Sequence, residues 1–296
     1  MIEALSRNLR FLAAGLAVVV AAMNGTASAQ DSVPVRDLAR LTHIHGLAVD
    51  PLDPTRLYVA THDGLFAATE SGDATRVSQT TDDFMGFTPH PGDPMTLYAS
   101  GHLAGGGNLG LIQSSDGGKT WRQLSLGLDG PADFHQMTVS KADPNRIYGA
   151  FKGLQVSRDG GRSWTRAGPA PNGLIDLAAS AFNPDTLYAA TEGGLLVSDD
   201  AGAAWRPAHV LLQPASVVEA DGRGKVYAFL LGQGLIVANE GEFARWDRLS
   251  DRFGDRYLMH LAFDPVNPDR LYAATQHSDV LVSDDGGRSW RDFGSR

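Results

Sequence analysis

Histidine, methionine and aspartate are the residues through which this chain could do chemistry. It carries nine histidines and no cysteine, so imidazole, thioether and carboxylate are its strong metal ligands, and imidazole is its acid–base group near neutral pH. His43 and His45 stand two apart, as do Asp83 and Met85, and Asp133 and His135; side chains spaced this way in a strand share a face. A set drawn from His43, His45, Met85, His135 and Met259 would suit a late transition metal. Histidine with methionine favours copper, above all Cu(I), and histidine with aspartate favours zinc. The other chemistry open to these residues is hydrolysis. Asp83, Asp133 and Asp176 are candidate catalytic carboxylates, and His45 or His135 could move protons. The plain alternative is that the methionines pack as core and the histidines hydrogen-bond the backbone.

These residues need a frame, and the chain announces one by repetition. The octapeptide Ser283 to Trp290 (SDDGGRSW) returns at Ser114 to Trp121 and Ser157 to Trp164, and in worn form at Ser198 to Trp205. Its aspartate and serine can hydrogen-bond within a tight turn, its glycines take backbone angles that other residues resist, and its tryptophan can anchor the next strand. A second landmark is a strand carrying Tyr58, Tyr98, Tyr148, Tyr188, Tyr227 or Tyr272. Aligned on these tyrosines, the chain shows six repeats of about 40–50 residues, each reading as four short strands. The expected fold is all-β, a six-bladed β-propeller over residues 42–296, with Val33 to Leu41 as an extra outer strand that could close the ring against the last blade.

Strand direction then sorts the residues by face. The start of strand A and the B–C loop share one end of each blade; the A–B turn and the repeated octapeptide share the other. One aligned column at the A-strand starts reads His45, Met85, His135, Ile175, Ala215 and Met259, and the column two residues earlier begins with His43, Asp83 and Asp133. His62, His102 and His277 fall on the B–C loops, and His260 adjoins Met259, so His62, His102, His260 and His277 are candidate ligand-binding residues at the rim. All the histidines except His90 and His209 therefore map to one end of the ring, on blades six, one, two and three.

The octapeptide is the Asp-box, or bacterial neuraminidase repeat, and the chain resembles the Asp-box propellers. With HIHGL, THDGLF, DFMGF, SGH and DFH it also resembles exported bacterial proteins described as glycosyl hydrolases. The resemblance implies a propeller fold and a glycoside hydrolase-like or sialidase-like activity on a glycan. Two sialidase features, a Phe/Tyr-Arg-Ile-Pro motif and an arginine triad, are missing. A fold alone does not transfer an activity.

Residues 1–29 combine a basic start, an apolar run from Phe11 to Ala22 and a small-residue exit, which reads as a cleaved secretory signal peptide. The expectation is a periplasmic or secreted protein without a membrane anchor. A net charge of −9 argues against nucleic acid as partner and leaves a metal, a small molecule or a glycan.

Overall fold

Each of the six repeats folds into an antiparallel sheet of four strands, A to D, in the computed structural model, which describes residues 32–295. The signal-peptide expectation lies outside these residues. In blade one the strands are Ile44–Asp50, Asp53–Thr61, Gly64–Thr69 and Asp73–Arg76. The A strands of blades two to six are Asp83–Pro89, Met137–Val139, Leu174–Ala179, Ala215–Ala220 and Leu258–Phe263. Neighbouring A strands contact one another around the ring, blade six against blade one included, so the protein is a six-bladed β-propeller.

The repeated octapeptide forms the C–D turn, as its residue types dictate. In blade two the Asp116 carboxylate accepts from the Lys119 and Thr120 N–H groups at 3.1 and 2.9 Å, and the Ser114 hydroxyl accepts from Gly118 N–H at 2.9 Å. The same bonds recur around Asp159 and Asp285. Each of these turns also donates a backbone bond to its blade's A–B turn, as Gly160 does to Asn145 at 2.9 Å, which places both turns at the same end. The tyrosine column locks blade to blade. Tyr148 donates to the Pro184 carbonyl of blade four at 2.8 Å, and Tyr272 of blade six donates to the Pro54 carbonyl of blade one at 3.2 Å.

Ring closure differs from the expectation at 33–41. Only Ser32–Pro34 is a strand, and it pairs with strand D of blade one, with Ala74 opposite Val33. Val35–Leu41 is a helix. Val35 and Leu38, three apart, fall on one helix face and are buried with Val280, Val282 and Phe293 of blade six and Leu57 of blade one. The segment thus seals the seam between the first and last blades with a helix face, while Arg291–Asp292 is the edge strand of blade six.

A second departure matters for function. Strand A carries a β-bulge near its start in blades one, four, five and six, leaving His45, Ile175, Ser216 and Met259 without a cross-strand partner. A bulge re-aims the side chains around it. The central cavity, of about 530 Å³, is lined by Gly46, Asp176 and His260, the residues that follow His45, Ile175 and Met259.

Candidate functional site

The A strands of blades one to three are approached by aligned tripeptides with an apolar residue at the centre: His43-Ile44-His45, Asp83-Phe84-Met85 and Asp133-Phe134-His135. The middle residue is buried in each case, Phe84 and Phe134 fully so. In an extended chain that turns its two neighbours the other way. Phe134 is pinned twice: its ring lies 4.7 Å from the Trp164 ring, and its N–H donates to the buried Ser100 hydroxyl at 2.9 Å. Gly86 allows the close approach. It has φ of +53°, and a Cβ there would stand 2.2 Å from the Phe134 carbonyl oxygen.

The result is a line of six imidazole and carboxylate groups across three blades. His45 Nε2 lies 3.0 Å from His62 Nε2, and His62 Nδ1 lies 2.8 Å from Asp83 Oδ2. His102 stands between the two carboxylates, with Nδ1 3.6 Å from Asp83 Oδ2 and Nε2 3.3 Å from Asp133 Oδ2. His135 Nε2–H donates to Asp133 Oδ2 at 2.6 Å. The Asp83 and Asp133 side chains are only 17% and 13% exposed, and the inner oxygen of each, Oδ1, is buried without a hydrogen-bond partner.

The line is electrically split. Burial, reinforced by the neighbouring His62, pulls the His45 imidazole down to about 4, so that it is neutral at pH 7. The hydrogen bond to Asp133 instead raises the His135 imidazole above its ordinary value. His45 is therefore held neutral, while His135 is the imidazole of the two that more readily carries a proton.

The other candidates have different positions. His43 stands at the rim, its ring edge-on to His62 at 5.7 Å. His260 donates from Nε2 to the Ile44 carbonyl at 3.2 Å, while the Ser278 hydroxyl accepts from Ile44 N–H at 3.1 Å, so the two hold the backbone beside His45 from blade six. Burial pulls the His260 imidazole down to about 4. His277 is exposed, and its hydrogen bond runs from its backbone N–H to the Thr275 hydroxyl. Met85 is buried and Met259 half-buried, and neither takes part in the imidazole–carboxylate contacts. Asp176 lines the central cavity, accepts from Leu177 and Val218 N–H at 2.9 Å, and is pushed up to about 7 by burial. The residues that reasoning from sequence missed are the positioning ones, Ser100, Gly86 and Phe134; for Phe134 the available signal was an apolar residue between Asp133 and His135.

No family model matches the chain. A xyloglucanase of Paenibacillus sp is 24% identical over 271 residues, covering 84% of this chain and 24% of that protein. The chain is a six-bladed propeller similar in sequence to part of a xyloglucanase. Among solved structures, the GH74 enzyme of Niastella koreensis superposes with a TM-score of 0.60 at 15% identity, covering 85% of this chain and 45% of that one. The gluconolactonase XC5397 from Xanthomonas campestris superposes with a TM-score of 0.64 at 14% identity, covering 85% and 89%. This chain spans about a quarter of the xyloglucanase and under half of the GH74 enzyme. Among the described residues no helix is long and apolar enough to cross a membrane.

Proposed function

We propose that this propeller acts on a glycan as a glycosyl hydrolase-like enzyme, with Asp83 and Asp133 as its carboxylate pair. The observation that carries the reading is the pair itself: two nearly buried carboxylates, each with an unpartnered oxygen, separated by the His102 ring. The separation of such a pair sets the outcome, about 5–5.5 Å for retention and about 6.5–9.5 Å for inversion. In this reading His135 and Asp133 together supply the proton to the leaving oxygen. Asp83, beside the His62 ring, takes one from the water. The similarity to a xyloglucanase supports a β-glucan or related polysaccharide as substrate class. The leader-like sequence at 1–29 supports a periplasmic or secreted setting, where such polymers are met. The test is turnover of xyloglucan and a panel of aryl glycosides. Asp83→Asn and Asp133→Asn should each lower the rate at least ~10²-fold while the fold is retained. A wild-type rate of zero on every substrate, or an unchanged rate in Asp133→Asn, contradicts the reading.

A second reading is binding without turnover, of copper, zinc or a small ligand. What favours it is the convergence of His45, His62 and Asp83, whose ligand atoms lie within 4.8 Å of one another.

A further inference from the structure

We propose that His45, His62 and Asp83 form a mononuclear site for a zinc-class divalent cation, with the fourth position open to water at the mouth of the ring. The proposal deepens the binding reading above and does not depend on turnover. The three donors come from three separately fixed places: the bulge of strand A in blade one, the B–C turn of blade one, and the first residue of strand A in blade two. His45 is steadied through Ile44, whose backbone is held on both sides by Ser278 and His260. The His62 turn is closed by the Thr61 hydroxyl, which donates to the Gly64 carbonyl at 2.9 Å and accepts from Asp63 N–H at 3.0 Å. Asp83 is set by Gly101, where a Cβ would stand 2.1 Å from the Asp83 carbonyl oxygen. Donors already gathered need little rearrangement to close on an ion. Asp83 Oδ1 is buried and has no hydrogen-bond partner of its own.

The donor set decides the ion. Two imidazoles and one carboxylate, with one position open, match borderline divalent cations of the zinc type, whereas Cu(I) would call for thioether or thiolate. This moves the expected site away from Met85, Met259 and His135 and toward His62 and Asp83. The counterpart pair one blade on, His102 and Asp133, is differently occupied. His135 already sits on Asp133 at 2.6 Å, and His102 spans to Asp83 with its other nitrogen. Among the described residues no other group of three His, Cys, Asp or Glu side chains converges as closely, so one ion is expected, not two.

The experiment strips the full chain with a chelator and titrates it with Zn(II) by calorimetry and with Co(II) by visible absorption. The expected result is one equivalent of each, with the intense d–d bands of a four-coordinate site for Co(II). His62→Ala and Asp83→Asn should each weaken Zn(II) binding at least about tenfold and bleach the Co(II) bands, while His135→Ala leaves both unchanged. His62 is exposed, so His62→Asn serves as a second variant with a packing role held constant, and circular dichroism confirms the fold of each. No ion bound by wild type overturns the proposal and the metal-binding reading together. An ion that His62 and Asp83 variants still bind, or that His135→Ala removes, overturns this site while leaving ion binding intact. Glycoside turnover, measured separately with the stripped chain, tests the hydrolase reading on its own.

Discussion

Replacing Phe134 by alanine tests the packing on which the site rests. The ring is fully buried, lies 4.7 Å from Trp164, and sits over Gly149, where a Cβ would come within 2.6 Å of it. Phe-to-Ala changes in cores cost about 3–5 kcal/mol, more where the surroundings cannot collapse into the space. Gly149 has no side chain to move in, so the upper part of that range, about 4–5 kcal/mol, is expected by urea denaturation at constant m. The same geometry predicts a reversal of sign. Gly149→Ala alone drives a methyl into the Phe134 ring and should destabilise by about 1–3 kcal/mol. In the Phe134→Ala background the same methyl enters the cavity and should be neutral or stabilising, a coupling of at least ~1 kcal/mol in the double-mutant cycle. A loss below about 1.5 kcal/mol for Phe134→Ala, or a Gly149→Ala effect that is the same in both backgrounds, would refute the plug that aims Asp133 and His135 at the site.

Two further outcomes follow from the frame. Asp159 is held at about 2 by the Ser163 hydroxyl and N–H, and Asp116 and Asp285 reach about 2 against the opposing pull of burial through the equivalent bonds. A carboxylate with a lowered value stabilises the fold above its unfolded value near ~3.9, and that stability is lost as pH falls toward 2. The melting temperature should therefore drop between pH 4 and 2, with a shallower slope in Asp159→Asn; an unchanged slope would contradict the role of the turn. Tyr272→Phe and Tyr148→Phe remove equivalent interblade bonds and should each cost about 0.5–1.5 kcal/mol. A Tyr272 loss several times that of Tyr148 would mean that ring closure rests on this one bond.

The propeller was legible because its register is written in letters that have few other uses. Six tyrosines and a turn that needs Asp, Gly and Trp fix the repeats, and the repeats fix the blades. Sorting by face was legible for the same reason, and it brought His45, His62, Asp83, His102, Asp133 and His135 to one end, where they meet. The bulges were not legible. An extra residue in strand A changes no composition and no period, yet it puts Gly46, Asp176 and His260 into the central cavity, where counting by twos had pointed to Met259 and Ile175. Nor could spacing tell that His260 would turn to the Ile44 carbonyl, or that Val35 and Leu38 would fold as a helix face over the seam, because both depend on partners more than 200 residues away in sequence.

The most direct test of the central claim, a line of imidazoles and carboxylates on the A-start face whose two ends hold protons differently, is a histidine-resolved NMR titration of the metal-free chain. His45 should remain neutral on acidification until about pH 4, while His135 titrates above the ordinary imidazole value, and in Asp133→Asn the His135 transition should move to lower pH. Coincident titration of His45 and His135, with His135 indifferent to Asp133→Asn, would contradict the account.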